Sequence, residues 1–307
     1  MPMSTKFQTV SSLAPRLRAE CKGRVKEEEK LSSHTTIKIG GPAECWFEPE
    51  DEASLAQGLK IAAECGAPVW IVGGGSNLLP PDEGLKGLVV HLSGPVFKAL
   101  KLEGEEVVAG AAVPITQFLP FLVSNGFGDC EYLMGVPAQI GGAVMMNAGS
   151  ATRWIGSFLT RAWGVTLGGE KSELAREAIP FEYRSSGLKD FVITQAAFKF
   201  PRVPAADTRK RLNEYSDYRR KTQDLKFPNA GCMFRNPEGD SAGRMIEQAG
   251  LKGRRAGGAQ VSEIHANFVV NTGGATRKDV LELLDAVEKK VYQQYAIRLH
   301  REIRILG

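Results

Sequence analysis

The stretch that most constrains this chain runs from Val69 to Leu79 and reads VWIVGGGSNLL. Apolar, β-favouring residues lead directly into three glycines, which are followed by Ser76 and Asn77. Glycine adopts backbone angles that are closed to other residues, so successive N–H groups can turn toward one point and bind an anion. The two polar side chains would add donors. The stretch predicts a cradle for a diphosphate, and an ordinary glycine-rich surface turn is the alternative.

The same stretch argues against the commonest nucleotide-binding fold. A dinucleotide fingerprint has a third glycine and opens a helix whose N-terminus meets the pyrophosphate. Here Leu78 stands at the last glycine position, and Pro80 and Pro81 follow where the helix would begin. Consecutive prolines make a helix there unfavourable. If a nucleotide binds here, a loop holds it within another fold.

Composition limits the class of protein. The 307 residues allow two domains, or three, and a net charge of +4 from 39 basic and 35 acidic side chains argues against a general nucleic-acid binder. The five cysteines are scattered without a C-x-x-C pair, so we expect no metal site, no disulfide framework and a reducing compartment. The first thirty residues lack the apolar core of a signal peptide, and no apolar run is long enough for a membrane span. We expect a soluble cytoplasmic protein.

Apolar periodicity predicts a mixed α and β chain. A polar lead of some helical character ends in the charge run 26–30, and the composition shifts near residue 202, where we place a domain boundary. Predicted helices cover residues 54–64, 117–125, 202–221, 241–248 and 276–295. Predicted strands cover residues 45–48, 69–72, 87–92, 96–102, 106–109, 165–167, 192–200 and 301–306.

A second glycine-rich stretch runs from Gly135 to Gly149 and reads GVPAQIGGAVMMNAG. It contains no charged residue. Backbone of this kind suits close contact with a large flat ligand, and a buried turn of small residues is the alternative.

A few polar residues stand in unusual surroundings, each with an ordinary structural explanation. Arg184 could bind a carboxylate through its guanidinium or form an exposed ion pair. Cys232 could be reactive or an inert buried thiol. Glu302 lies between arginine residues that suggest surface pairing, and His265 could be a general base but is favoured as a core histidine. From residue types alone, we expect a soluble cytoplasmic α/β protein whose two glycine-rich loops bind a ligand, with a nucleotide as the favoured class.

The order of the unusual stretches resembles the UDP-N-acetylenolpyruvoylglucosamine reductase family, the flavoenzymes that complete UDP-N-acetylmuramate for peptidoglycan. One motif alone is weak evidence, but all of them in order are specific. The matching stretches are TIKIGGPA at 36–43, VGGGSNLL at 72–79, the 135–149 stretch, YRSS at 183–186, AGCMFRNP at 230–237, GGAQVS at 257–262 with HAN at 265–267, and Arg301-Glu302.

The resemblance implies an α+β fold, with a two-part FAD-binding module of the vanillyl-alcohol-oxidase (PCMH) type and a C-terminal α/β substrate-binding domain. The module would span residues 1–202 in two parts, about 1–92 and 93–202. The substrate domain would span 203–296, and a strand at 297–307 would return Glu302 to the active site. The residues implied to bind FAD are Ile39, Gly40, Gly73, Gly74, Gly75, Ser76, Asn77, Leu78, Gly135, Pro137, Gly141, Gly142, Ala143, Asn147 and Gly149.

The resemblance also implies the chemistry. NADPH would reduce the flavin, which would pass hydride to the enolpyruvyl group of UDP-N-acetylglucosamine enolpyruvate, and a protein acid would protonate the neighbouring carbon. The implied catalytic residues are Arg184 and Glu302 beside the substrate carboxylate and Cys232 as the proton donor. The implied substrate-binding residues are Tyr183, Lys221, Asn236, His265 and Asn267. A monomer is expected, with no nucleic-acid or membrane partner.

Two departures from the family pattern matter. Cys232 stands where many members have serine, and a thiol with an ordinary pKa of about 8.5 gives up a proton more readily than a hydroxyl. Because the donor works only while protonated, we expect the site not to favour the thiolate. The short spacing of Arg184, Cys232 and Glu302 resembles the compact branch, which lacks the tyrosine lid loop. The alternatives are a related flavoprotein oxidase and a nucleotide-binding regulator without turnover.

Overall fold

The computed structural model describes residues 12–150 and 152–307, which form two compact units. The first unit contains the described residues up to Glu29, together with Ala43–Gly74 and Lys86–Ser216. The second contains Lys30–Pro42, Gly75–Leu85 and Asp217–Gly307. Two short N-terminal segments therefore belong to the same unit as the C-terminal third of the chain.

The N-terminal part of the first unit is a four-stranded sheet with two helices. Helix α1 spans Leu13–Glu20, and α2 spans Glu52–Glu64 with Asp51 capping its first turn. The strands, in the order β1-β2-β5-β3 across the sheet, are β1 (Gly23–Lys30), β2 (Pro42–Pro49), β5 (Leu85–Val90) and β3 (Val69–Ile71). The charge run 26–30 lies in edge strand β1, so the helical prediction there was wrong. An edge strand has one unpaired side and tolerates many charged side chains.

The remainder of the first unit is built on a five-stranded antiparallel sheet. Its strands, in the order β6-β7-β10-β8-β9, are β6 (Leu100–Glu103), β7 (Glu106–Gly110), β10 (Phe191–Phe198), β8 (Leu159–Thr166) and β9 (Lys171–Ala175). Helices α3 (Ile115–Ser124) and α4 (Ile140–Met145) belong to this part. The strand predicted at 96–102 is instead a 3₁₀ turn, Pro95–Lys98, followed by β6, because proline cannot donate to a strand ladder.

The second unit contains a four-stranded sheet and a two-stranded one. The larger has the order β11-β14-β13-β12, with β11 (Asn229–Cys232), β14 (Phe268–Asn271), β13 (Ala259–Val261) and β12 (Arg255–Ala256). The smaller pairs β4 (Leu78–Leu79) with β15 (Arg304–Ile305) in parallel. Helix α6 spans Ala242–Gln248, and α7 spans Arg277–Tyr295 behind a capping box of Thr276 and Asp279.

Helix α5 spans Ala205–Thr222, and the first unit ends within it, at Ser216. Most of its residues are polar or charged. It confirms the predicted basic helix, which begins later than residue 202 because Pro204 precedes it. In the part of the chain that the structure describes, no helix combines the length and apolar character needed to cross a membrane.

Candidate functional site

The two glycine-rich stretches meet within the first unit. A Cβ placed on Gly74 would lie 3.2 Å from the carbonyl oxygen of Pro137 and 3.6 Å from the amide nitrogen of Gln139. A Cβ on Gly73 would meet only the Gln139 Oε1, at 3.4 Å. The missing side chain at Gly74 thus helps the first loop to run close along the second, whereas Gly73 has room for a Cβ.

Gly75 requires glycine for a different reason. Its φ is +64°, and a Cβ there would lie 1.9 Å from the His34 carbonyl oxygen. The Gly75 carbonyl accepts a hydrogen bond from the Thr36 amide at 3.1 Å. This contact joins the loop to the segment that carries Ile39, which is buried, and Gly40, whose φ is +130°. Ser76 and Leu78 are half-buried beyond it.

Part of the second stretch is helical, which sequence periodicity did not predict. Gly141 packs against Ala111, whose Cβ would lie 2.9 Å from a Cβ on the glycine, and Ala143 is buried. Gly142 differs, because a Cβ there would meet nothing within 4 Å. Bare backbone beside open space suits the close approach of a planar ring, so this stretch fits a flavin. Gly135 and Pro137 are exposed in the turn that precedes the helix.

Arg184 is anchored on the end of the second stretch. Its φ is +58°, unusual for a residue with a side chain, and its Nη1 donates to the Gly149 carbonyl at 2.9 Å. Its guanidinium lies 5.2 Å from the ring centre of Tyr183, which is exposed. Asn147 is buried and holds the turn by donating from Nδ2 to the Glu182 carbonyl at 3.0 Å. The rare backbone angle at Arg184 is therefore fixed by its neighbours.

Cys232, Glu302 and Asn77 are brought together in the second unit. The Glu302 amide donates to the Met233 carbonyl at 2.7 Å, directly after Cys232. The Asn77 Nδ2 donates to the Glu302 carbonyl at 3.2 Å, and the Asn77 carbonyl accepts from the Arg304 amide at 3.0 Å. The half-buried Cys232 thiol and the Glu302 segment thus lie beside the exit of the first glycine loop. The sequence predicted the Asn77 side-chain amide as a hydrogen-bond donor to the cofactor. In the structure it donates to the Glu302 carbonyl.

Asn267 and Asn236 use their side chains on the protein backbone. Asn267 is buried. Its side-chain Oδ1 accepts from the backbone N–H of Phe234 at 2.9 Å, and its Nδ2 donates to the Phe234 carbonyl at 2.7 Å. Asn236 is exposed, and its Oδ1 accepts from the Ala242 amide at the start of α6 at 3.1 Å. Asn267 therefore fixes the backbone two residues after Cys232, which its sequence position did not reveal.

His265 is half-buried and tilted on Phe268, with ring centres 4.6 Å apart. Burial lowers the pKa of its imidazole, and its Nδ1 accepts from the Asn267 amide at 3.3 Å. The ring is therefore neutral near pH 7 and carries its proton on Nε2. A neutral donor of this kind can bind a phosphate or carbonyl oxygen.

The basic residues at the end of α5 differ in how exposed their side chains are. Lys221, the predicted pyrophosphate contact, is exposed, whereas Arg219 is half-buried. Burial lowers the pKa of the Arg219 guanidinium, and interaction with Cys232 opposes that shift. Treating the whole basic run as a solvated face missed Arg219. Among the described residues, no cluster of three or more His, Cys, Asp or Glu side chains could hold a metal ion.

Comparison with known proteins identifies the family. The model described as UDP-N-acetylenolpyruvoylglucosamine reductase, C-terminal domain, matches residues 223–306, and the model described as FAD binding domain matches residues 43–166. The UDP-N-acetylenolpyruvoylglucosamine reductase of Halalkalibacterium halodurans is 38% identical over 300 residues, covering 97% of this chain and 99% of that protein. The chain belongs to this family. Its sequence resemblance is thereby confirmed at the family level.

Solved structures give the same assignment. The crystal structure of the Thermus caldophilus family member matches with a TM-score of 0.81 and 34% identity, covering 93% of this chain and all of that one (100%). A glucooligosaccharide oxidase from Acremonium strictum matches with a TM-score of 0.50 and 14% identity, over 91% of this chain and 58% of its own. This second match shows the fold alone. The predicted architecture, an FAD-binding module followed by a C-terminal domain, is confirmed.

Proposed function

We propose that this flavoenzyme reduces UDP-N-acetylglucosamine enolpyruvate to UDP-N-acetylmuramate, a peptidoglycan precursor, with FAD as cofactor and NADPH as reductant. The observation that carries the proposal is the junction of Cys232, Glu302 and Asn77, because it joins a thiol and a carboxyl-bearing segment to the exit of the glycine loop. Family membership supplies the substrate class. An oxidase of the same fold would need a base for its substrate rather than a proton donor.

FAD is held, in this proposal, by the two glycine-rich stretches, with Gly73 to Asn77 at the diphosphate and Gly141 to Gly149 at the ring. When bound, it supplies the hydride that NADPH delivers and the enolpyruvyl carbon receives. The open space at Gly142 and the close approach of the two stretches at Gly74 support this placement. Ile39 and Gly40 would contact the cofactor from the segment joined to Gly75.

Cys232 provides the proton that completes the reduction. Its S–H bond breaks and the electron pair stays on sulfur, while the new C–H bond forms from the electron pair that hydride addition leaves on the carbon next to the substrate carboxylate. The thiolate then regains a proton from water. A thiol is a stronger acid than the serine hydroxyl that many relatives use, which favours the transfer. The contacts from Asn267 to Phe234, two residues beyond the end of β11, hold the backbone that follows Cys232.

Arg184 and Glu302 act on the substrate carboxylate. The guanidinium of Arg184 offsets the negative charge that builds there, and loss of one such preorganised donor commonly costs about 3 kcal/mol. Glu302 would help only as a neutral acid or through an intervening proton, because an ionised carboxylate would repel the same charge. Tyr183, Lys221, Asn236 and His265 bind the remainder of the nucleotide in this proposal.

The reaction is tested by following the flavin. The purified protein should be yellow, NADPH should bleach it, and the enolpyruvyl nucleotide should restore the colour. Cys232→Ser should remain active, whereas Cys232→Ala should be bleached by NADPH and fail to regain colour. If Cys232→Ala turns over substrate as fast as the unchanged protein, Cys232 is not the proton donor. A protein that takes up no FAD would overturn the whole proposal.

The flavin placement is tested separately by Gly142→Ala. Because a Cβ there meets nothing in the protein, the variant should fold normally and yet bind FAD at least tenfold more weakly. Gly168→Ala is the matched control, since its Cβ would make only an ordinary contact of 3.6 Å with Thr166 Oγ1. Fluorescence titration of the apoprotein measures both affinities. If Gly142→Ala binds FAD as tightly as the unchanged protein, the flavin does not bind beside this helix.

Finer features of the proposal rest on sequence resemblance. We infer that the protein belongs to the compact branch without the tyrosine lid, works in the cytoplasm as a monomer, and needs neither nucleic acid nor membrane. The domain limits at residues 202 and 296 are part of the same proposal. Sedimentation of the FAD-loaded protein at micromolar concentration would reveal a dimer if one forms.

A further inference from the structure

The hydrogen-bond ladder between β3 and β5 ends at the residue before the first glycine loop. The two strands are parallel, with Ile71 opposite Val90, and the Val72 amide donates to the Val90 carbonyl at 2.9 Å. In a regular parallel ladder, the Val72 carbonyl would next accept from a backbone N–H of the neighbouring strand. Here the His91 ring makes that bond, with its Nδ1 2.8 Å from the Val72 carbonyl oxygen. A side chain therefore binds the last carbonyl before Gly73.

This contact fixes the tautomer of His91. A carbonyl oxygen can only accept, so Nδ1 must carry the hydrogen. The bond would persist if the ring gained a second proton, because both nitrogens of an imidazolium are donors. Val72 is 1% exposed, so water cannot replace the ring at its carbonyl. Loss of the donor would leave a buried acceptor unsatisfied, which is costly.

The His91 ring is itself held from β2. It stacks on Trp46, with ring centres 5.2 Å apart and 28° between the planes. Trp46 is buried, and its Nε1 donates to Glu48 Oε1 at 2.9 Å, while Glu48 Oε2 accepts from Ser93 Oγ at 3.0 Å. The His91 amide donates to the Phe47 carbonyl at 2.9 Å. Both the backbone and the ring of His91 are therefore fixed before the ring reaches Val72.

The loop beyond Val72 has few restraints of its own. In the part of the chain that the structure describes, the N–H groups of Gly73 and Gly74 donate to no other protein group. Successive N–H groups of this kind can bind the oxygens of a phosphate. The direction of the first one depends on the peptide that joins Val72 to Gly73, because its C=O and N–H lie in one plane.

We propose that His91 is a positioning residue for FAD, which aims the Gly73 N–H at the cofactor diphosphate by holding the Val72 carbonyl. The described chain has no cis peptide bond, and in a trans peptide the C=O and N–H point in opposite directions. Fixing the oxygen therefore fixes the hydrogen. The inference rests on the proposed placement of FAD at the first glycine stretch. His91 acts through the backbone in this role and needs no contact with the cofactor.

Replacement by asparagine and by glutamine gives a matched pair. Relative to Cβ, the asparagine amide nitrogen takes the place of the histidine Nδ1, whereas the glutamine nitrogen lies one bond further out, like Nε2. FAD-loaded full-length protein is diluted, and the fluorescence of the released flavin gives the rate of dissociation. His91→Gln should release FAD about tenfold faster, and His91→Asn should stay within about threefold of the unchanged protein. A role in packing alone predicts the reverse order, because glutamine fills more of the space left by the ring.

Two phenylalanine variants separate the donor from the ring. His91→Phe keeps an aromatic ring beside Trp46 and removes the donor, so it should release FAD as fast as His91→Gln. His300→Phe changes an exposed histidine and should leave the release rate unchanged. If His91→Phe releases FAD at the rate of the unchanged protein, the ring only packs and the proposal is wrong.

Hydrogen exchange separates this inference from the proposed function. In the full chain without added cofactor, the Val72 amide should exchange about tenfold faster in His91→Gln and His91→Phe, whereas a peptide covering residues 191–198 in β10 should be unchanged and report that the unit stays folded. Faster exchange at Val72 without faster release of FAD would mean that His91 fixes the strand end but does not position the cofactor. If even the unchanged protein takes up no FAD, the proposed function fails and this inference fails with it, while exchange still measures the hydrogen bond itself.

Discussion

Replacing Asn267 by alanine should loosen the strand that carries Cys232. Asn267 and Phe234 are each 2% exposed, so water cannot reach the two backbone groups that the Asn267 amide now satisfies. The variant would leave the Phe234 N–H and C=O without their present partners. Each buried group left unsatisfied costs about 1–3 kcal/mol, and the two together give about 3 kcal/mol.

Hydrogen exchange is the suitable assay because the effect is local. The four tryptophans of the chain, Trp46, Trp70, Trp154 and Trp163, all lie in the first unit, so their fluorescence does not report on this strand. A loss of about 3 kcal/mol should speed exchange in a peptide covering residues 229–236 by roughly a hundredfold. FAD is kept saturating in every sample, because a bound ligand itself adds stability.

Asn236→Ala is the control for this measurement. Its side chain is exposed and bonds only to the Ala242 amide at the start of α6, so the exchange of Met233 and Phe234 should barely change. Less than about a tenfold acceleration in Asn267→Ala would mean that Phe234 finds other partners. The positioning role of Asn267 would then be wrong, and direct contact with substrate would be favoured.

Three further variants test particular contacts. Gly75→Ala places a Cβ 1.9 Å from the His34 carbonyl oxygen at a φ of +64°, so the purified protein should take up little FAD, as its visible absorbance would show. Burial lowers the pKa of His265 in the folded protein, so the unfolded chain binds a proton at this imidazole more readily. The free energy of unfolding therefore falls as the pH drops from about 7 to 5. In His265→Gln, the urea midpoint should fall less over the same pH range. Thr276→Ala removes the capping bond to the Asp279 amide and should cost about 1 kcal/mol, read from amide exchange in the first turn of α7.

The helices with strong apolar periodicity were predicted closely from the sequence. Residues 276–295 were expected to be helical behind a cap, and α7 spans Arg277–Tyr295 with Val280, Leu283 and Val287 buried. The expected helix at 54–64 matches α2 in the same way. The charge run 26–30 was misassigned because a strand at a sheet edge shows little alternation between apolar and polar residues.

The glycine loop was predicted from local chemistry, and Gly75 has the φ of +64° and the 1.9 Å approach that only glycine tolerates, whereas Gly73 and Gly74 lack the positive φ expected there. The second stretch was predicted as close-fitting backbone, but its short helix was not, since six residues are too few to show a helical period. Motif order was enough to identify the family, and the comparisons confirm it.

The sequence by itself determined the cradle and the unusual thiol through the chemistry of neighbouring residues, and the order of its motifs indicated the cofactor through resemblance to a family. Only the tertiary structure decided that Asn77 holds the Glu302 segment, that Asn267 holds the backbone at Phe234, and that Arg219 is half-buried. These contacts join residues far apart in the chain. Whether a polar side chain faces water, backbone or a neighbouring charge depends on packing between segments, which no local pattern of residues encodes.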